Sequence, residues 1–456
     1  MELGIAAYSS SGDDAAVLSQ IQAANKRSVD NPIFFPIFSI RYTSHMSHLR
    51  IRPFNAIYPT ASDATRVASV PYDVVNRKEA SAIGMQNEDS FMHVVRSEID
   101  LPSETSPYSV SVYTKAKENL DRLLEIGALV KDKNPSLYLY RQCMGDHHQV
   151  GLVACCHVDD YNNNLIRKHE KTRQVKEDDR TNHVLGLNAN SGPVFLTYRG
   201  TKNIDVIIEE GMNKRPMFHF KADDGVTHTG WRVENEEALL AACSEIKLAY
   251  VADGHHRSAS AARSAVALKE KNPNHDGSEE YNWFLTVLFP ADQLNVLPYN
   301  RIAIDLHGNT EEELLKKLTS IGTLTKTDNP TPSASGSCCI YLGKAFGWYK
   351  FDFPDIDMSD PITSLDVDLL QQRILAPLLG IGDPRSDTRI DFVGGIRGTT
   401  ELENRVDEGN AAIAFSMYHT TIKQLLDVAD ANLIMPPKST WFEPKLRSGL
   451  FVHELR

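Results

Sequence analysis

The segment Val251-Ala252-Asp253-Gly254-His255-His256-Arg257 constrains this chain more than any other. An apolar run, Ile246 to Ala252, leads into it. Ser258 to Lys269, rich in Ala and Ser with basic residues near its end, leads out. The order reads as strand, tight polar loop, helix. Such a turn aims free backbone N–H groups and the positive end of a helix dipole at one point. Two His and one Arg add donors there, so an anion, most naturally a phosphate, fits the loop. The plainer alternative is a structural turn, because Asp-Gly is a common turn dipeptide. Metal ligation by the His pair is disfavoured, since adjacent histidines cannot easily share one ion and no H-E-x-x-H or third ligand stands nearby.

A second double His, Gly145-Asp146-His147-His148, serves as a control. It sits between Leu137 to Arg141 and Val150 to Val158, two extended runs that read as a hairpin, so its histidines belong to an exposed turn. Elsewhere the pattern is α/β. Ile51 to Ala56, Val67 to Val75, Asn282 to Pro290, Ile390 to Val393, Ala411 to Met417 and Leu433 to Met435 read as strands. Tyr113 to Ala128, Thr310 to Ile321 and Leu365 to Leu379 read as helices, and Val184 to Tyr198 changes from helix to strand at Ser191-Gly192-Pro193. The expected organisation is an extension over residues 1–46, loosely ordered, then one domain over 47–297 and a second over 298–456.

The 456 residues can bury a full core without staples. A net charge of −12 argues against a nucleic-acid partner, which wants a basic face, but leaves room for a local anion site. Six cysteines occur, four of them as adjacent pairs in apolar runs (Cys155-Cys156 and Cys338-Cys339). Neighbours in a strand point to opposite faces, so reduced, buried thiols and a cytoplasmic setting are expected. No window approaches the ~18 apolar residues of a membrane span. Acids at Glu2, Asp13 and Asp14 argue against a transit peptide.

Four further segments carry chemistry-bearing residues. Ile166 to Arg173 with Lys176-Glu177-Asp178-Asp179-Arg180 is either a solvated mixed-charge loop and helix start or a mobile segment supplying acids for Mg²⁺ or proton transfer and bases for phosphate. Pro436-Pro437-Lys438-Ser439-Thr440 is a Pro-led loop or an anion cradle. Arg389 to Gly398 contains Gly394-Gly395, which allow a sharp strand exit. Val70 to Val74 places the Asp73 carboxylate after an extended run, where it could equally cap a helix. No P-loop is present, for Gly343-Lys344 is followed by Ala345. No G-x-G-x-x-G follows a strand, and neither a kinase H-R-D/D-F-G pair nor G-x-S-x-G occurs.

Taken together and in this order, these motifs resemble a long, uncharacterised family of the ParB/sulfiredoxin-like superfamily related to free L-serine kinases, over roughly residues 50 to 456. The residues that carry the likeness are Asp253 to Arg257, Pro71 to Val74, Arg167 to Thr172 with Glu177 and Arg180, Arg389 to Gly395, and Pro437 to Thr440. The resemblance implies a ParB-like α/β domain with a second α/β domain and an active site in the cleft between them. It implies transfer of a phosphoryl group from ADP or ATP, with Mg²⁺, to the hydroxyl of L-serine or a similar acceptor. Asp253, Gly254, His255, His256 and Arg257 would then hold nucleotide phosphates, with Asp253 on the metal, and Lys438, Ser439 and Thr440 would lie near phosphate and substrate. The kinases' catalytic Glu lies in a Pro-x-Glu context, and Pro71-Tyr72-Asp73 offers Asp in that place, with Glu177 and Glu170 as rivals. Arg167, His169, Glu170, Thr172, Arg180 and Arg397 are the substrate-side candidates. A homodimer is compatible with this reading. The alternatives are a nucleotide-binding switch or a nucleotide hydrolase on the same scaffold. Sulfiredoxin chemistry is disfavoured, since no Cys lies in the Gly254 to Arg257 loop.

Overall fold

In the computed structural model, which describes residues 48–456, the predicted hairpin forms the middle of the largest sheet; the 1–46 extension lies outside the described residues. Tyr138–Met144 and His147–His157 pair antiparallel, and Gly145 turns the chain at φ 58°. In order, this mixed sheet runs 166–167, 249–253, 194–198, 283–290, 147–157, 138–144, 227–232 and 218–221, and Ile51–Arg52 adds to the 147–157 strand. Strand 249–253 runs parallel to 166–167, and 283–290 parallel to 194–198. Both faces of the sheet are covered, which is why Trp283–Pro290 reads as one apolar run and is buried almost throughout.

On one face, helices including His255–Lys271 pack Ala261 and Ala265 against Leu196, Val251 and Leu288. On the other, Tyr138, Phe195 and Phe289 merge through Phe442 with Ile340, Phe415 and Leu425. The latter residues belong to a second, wholly antiparallel sheet, ordered 323–327, 348–352, 337–341, 413–417, 299–303, 390–394, and to the helix beside it. The chain passes from one sheet to the other between Trp283–Pro290 and Tyr299–Ala303, yet one buried cluster spans both. Ser47–Arg456 therefore holds together as one compact unit. A small third sheet places Val452–Glu454 between Ala56–Pro59 and Ala189–Asn190, so the far end of the sequence completes a sheet begun near residue 56.

Several local expectations shift. The 365–379 helix exists, but Gln371–Leu375 widens into a π turn before Gly380 ends it at φ 64°. The helix-to-strand change comes at Asn188 (φ 53°) rather than 191–193, since Asn tolerates the left-handed region almost as Gly does. Residues 67–75 are not one strand: Ala64–Val67 is helical and Ser69 only bridges to Ser448. Residues 433–435 form no strand, and the Met435 N–H instead donates to the His169 carbonyl at 2.8 Å. All six cysteines are unpaired and five are buried. Among the described residues no helix is long and apolar enough to cross a membrane.

Val452 is fully buried in the small sheet. Val452→Asp places an unpartnered carboxyl there and should lower unfolding free energy by about 3 kcal/mol or more. Denaturant unfolding, read by circular dichroism, checks this, and a midpoint unchanged from wild type would contradict the placement of that strand.

Candidate functional site

The strand Ala249–Asp253 ends at Gly254, whose φ of 96° and ψ of 33° lie in the left-handed region, and the helix His255–Lys271 starts at once. Gly is required twice over. The conformation disfavours any side chain, and a Cβ at this position would stand 3.0 Å from the Arg257 Nε. The turn throws His255 inward. The residue is only 6% exposed, and its ring meets the His169 ring edge to face, with centres 4.5 Å apart. The His255 Nε2 and both ring nitrogens of His169 are buried without a hydrogen-bond partner. Burial, reinforced by His256, Lys168 and Arg257, depresses the His255 imidazole to about 4 against the pull of Asp253. Burial and the neighbouring His255 depress His169 to about 3. Both are neutral at pH 7. Burial also lowers His256, whose Nε2 accepts the Arg173 N–H at 3.1 Å.

In front of this turn lie two adjoining hollows, of about 620 Å³ and about 240 Å³. They share Asp73, Glu170, Asp253, His255, Phe392 and Lys438. Residues spread from 73 to 438 thus converge on one cleft. The larger hollow adds Gly254, His256, Thr172, Arg173, Lys176 and Arg180, and the smaller adds Tyr299, Arg397, Arg405, Thr440, Trp441 and Lys445. Burial alone would raise the Asp253 carboxyl, but Lys445, Arg257 and His255 outweigh it and hold the group at about 2. Lys438 stands at φ 58° with its ammonium 5.3 Å from the centre of the Tyr299 ring. Burial pulls its proton affinity down, yet Tyr299, Glu170 and Asp73 keep it above the usual lysine value. Behind it the buried Arg301, brought down to about 9 by burial, donates to the Lys438 carbonyl at 3.1 Å and fixes the loop.

Some predicted residues stand elsewhere. The Arg257 guanidinium turns back, donating to the Pro193 carbonyl and, at 3.2 Å, to Asp253, and it lines a separate small hollow with Tyr72 and Arg180. Glu177 accepts from the Thr172 hydroxyl and from Arg263 at 3.3 Å. Arg167 pairs with Asp430, which also binds Arg199 at 2.7 Å and the Tyr250 hydroxyl at 2.8 Å. His169 stands behind His255. Arg180 pairs with Asp179 at 2.8 Å and covers the Tyr72 ring at 4.2 Å, touching the cleft only by its edge. The Ser439 hydroxyl donates to the Pro436 carbonyl at 2.7 Å and so closes its own loop. Sequence reasoning missed Lys445, Arg405, Tyr299 and Trp441. The run Trp441 to Lys445 directly continues the Lys-Ser-Thr segment and could have been read with it. Tyr299 carried no signal, because strand pairing opposite Gly394 is what places it.

A metal ion would have to fit these carboxylates. Among the described residues no three His, Cys, Asp or Glu side chains converge. Asp73, Glu170 and Asp253 line one cleft singly, a donor set suited to Mg²⁺ that takes most of its ligands from phosphate and water.

A family model described as "Protein of unknown function (DUF1015)" matches residues 51–368. No curated protein matches. Among solved structures, a free serine kinase in complex with AMP aligns at 12% identity and a TM-score of 0.30, covering 64% of this chain and 86% of its own. A conserved hypothetical protein from Pyrococcus furiosus aligns at 12% identity and 0.31, covering 65% and 93%. SbnI with a C-terminal truncation, from Staphylococcus aureus, aligns at 11% identity and 0.35, covering 66% and 87%. Likenesses this remote leave the chemistry to be judged from the cleft itself.

The buried imidazoles make stability depend on pH. Their folded values lie below the 6.5 of a free histidine, so unfolded chain takes up protons first as pH falls. The stabilisation is complete above pH 6.5 and is lost progressively toward pH 4 to 3. His169→Phe should flatten the fall in melting temperature between pH 6.5 and 4.5 relative to wild type; parallel curves would contradict the neutral, desolvated state.

Proposed function

The chain belongs to the DUF1015 family, and from the geometry of its cleft we propose that it is a nucleotide-dependent phosphotransferase acting on the hydroxyl of a small acceptor such as L-serine. One observation carries this reading. The N-terminus of a 17-residue helix, opened by a left-handed glycine, faces a cleft that also holds Lys438, Lys445 and the carboxylates of Asp73 and Glu170. Phosphoryl transfer asks a protein for alignment and charge neutralisation more than for covalent chemistry. On a scaffold read as ParB/sulfiredoxin-like, the larger hollow takes ADP or ATP. The amides of His255 and His256 with the Lys438 ammonium hold its terminal phosphates. Neutral His255 presents an uncharged imidazole to the anion, while Lys438 supplies the permanent charge. Bound Mg²⁺ would offset charge on the donor phosphates, with Asp253 and Glu170 as the carboxylates within the cleft to hold it.

The acceptor hydroxyl oxygen attacks the terminal phosphorus, the bridging P–O bond breaks, and the shortened nucleotide leaves. The hydroxyl proton passes to a carboxylate. Asp73 fits this role best, being exposed in the cleft with no hydrogen-bond or ion-pair partner among the described residues, and Glu170 is its rival. Glu177 is occupied by Thr172 and Arg263 and is the weakest of the three bases. The choice of serine rests on the motif resemblance. Arg257 serves the turn, bracing Gly254 and Asp253 from behind.

Lys438→Ala should remove the thermal protection conferred by ADP with Mg²⁺ while leaving the ligand-free melting temperature near wild type. Asp73→Asn should keep that protection and lower turnover on the order of 10²–10⁴-fold, followed by phosphorus NMR with serine as acceptor. Unaltered protection in the Lys438 variant sinks the phosphate assignment. Nucleotide loss that proceeds equally without any acceptor would make the protein a hydrolase, and binding with no loss at all would make it a switch.

A further inference from the structure

The segment 168–173, which leads into the helix Gln174–Leu187, is neither helix nor strand, yet it walls the cleft. Glu170, Lys171 and Thr172 line the larger hollow on one side. On the other side they line a further hollow of about 390 Å³, bounded by Tyr161, Asn164, Asn432 and Ile434. Glu170 lines the smaller hollow as well, so three hollows meet at one strap of chain. Among the described residues the Glu170 carboxylate has no hydrogen-bond or ion-pair partner, so its position depends on how the strap is held.

Two backbone groups anchor it. At one end the His169 carbonyl accepts the Met435 N–H at 2.8 Å, and the His169 ring is buried against His255. At the other end the Arg173 N–H donates to the His256 Nε2 at 3.1 Å. Between these points, among the described residues, the backbone of 170–172 makes no hydrogen bond to other backbone groups. Lys168 adds a bond to the Tyr161 carbonyl at 3.1 Å and the Thr172 hydroxyl one to Glu177, but neither reaches the helix that opens the site. A histidine nitrogen that accepts an N–H carries no proton, so the His256 hydrogen sits on Nδ1 and Nε2 is spent on the strap.

We infer that His256 is a positioning residue: its ring latches the 168–173 strap to the first turn of the 255–271 helix and so holds Glu170 where the three hollows meet. One residue then sets both sides of the cleft, its backbone amide belonging to the helix N-terminus and its ring to the strap. The latch itself needs no chemistry at the site. Its effect on nucleotide rests on the phosphotransferase reading, in which Glu170 is one of the carboxylates beside the donor. The second histidine of the pair thus owes its place to Arg173 rather than to a phosphate.

Amide hydrogen exchange on the full chain reads the latch directly. His256→Phe keeps the bulk of the ring and removes the acceptor. Protection of the Arg173 amide should fall about fivefold or more, as expected for loss of one hydrogen bond. His256→Gln, whose side-chain oxygen can stand in for Nε2, should restore the protection, and Arg173→Ala, which keeps the N–H, should retain it. Calorimetric titration with ADP and Mg²⁺ then asks whether the latch acts through Glu170. His256→Phe and Glu170→Gln should each weaken binding, and the double variant should bind no more weakly than the worse of the two, because the pair acts in series. Unchanged Arg173 exchange in His256→Phe overturns the inference, as does ADP affinity that this substitution leaves unmoved. Additive losses in the double variant overturn it too, since they put the ring on the nucleotide itself. A wild-type protein that binds no ADP, with the exchange result intact, would sink the phosphotransferase reading and leave the latch standing.

Discussion

The site depends on the desolvation of His255. Its ring is enclosed because Gly254 turns the chain in the left-handed region and the next residue enters a helix already packed on the first sheet. A charged imidazole could not occupy that place, with Lys168, His256 and Arg257 as neighbours and a second buried imidazole edge-on at 4.5 Å. The protein therefore keeps a neutral ring at the first position of the helix, where the backbone amides and dipole provide the positive potential. The fixed positive charges are displaced outward to Lys438 and Lys445, which come from the far end of the sequence. This division lets an acidic chain present a positive spot in front of the turn, while the guanidinium beside the amides, Arg257, is taken up by the Pro193 carbonyl and Asp253.

Bringing Lys438 there requires the two sheets to be welded. One buried cluster runs from Tyr138 and Phe289 through Phe442 to Phe415, and Arg301 reaches from the 299–303 strand to the Pro437 and Lys438 carbonyls. Arg301 has no carboxylate partner among the described residues. Its guanidinium is spent on backbone oxygens, an arrangement in which a buried cation is tolerated only because several acceptors surround it. The Asp430 knot with Arg167, Arg199 and Tyr250 ties the same two layers at another edge. Charged residues that looked like ligand contacts in the sequence thus serve to set the distance between the layers.

What could be read in advance follows from how local each signal is. The strand–Gly–helix turn at 249–271 was legible because apolar run, Asp-Gly and helix former are contiguous, and the hairpin around Gly145 was legible for the same reason. The 365–379 helix was visible in the sequence, but not the π turn at Gln371–Leu375. Residues 433–435 look like a strand, yet the Met435 N–H finds the His169 carbonyl, a partner 266 positions away by numbering, which no local pattern encodes. Among charged residues the sequence could pick out clusters but not partners. Glu170 and Glu177 are equivalent as letters. Only the fold separates the one that lines the cleft from the one held by Thr172 and Arg263.

Arg257 shows how far a side chain's partners can differ from those its motif suggests. The basic residue three positions into a helix was expected to point at an anion. Its guanidinium instead bonds the Pro193 carbonyl and the Asp253 carboxylate, the residue that ends the strand. That bond closes a ring of Asp253, Gly254 and Arg257 around the turn, and a Cβ on Gly254 would crowd the guanidinium at 3.0 Å. An Arg used in this way helps hold Asp253 in its ionised form, after the larger effect of Lys445. A lysine there would keep the charge but lose the fork that reaches two acceptors at once. The preference for Arg over Lys is therefore geometric: one guanidinium reaches both the Pro193 carbonyl and the Asp253 carboxylate.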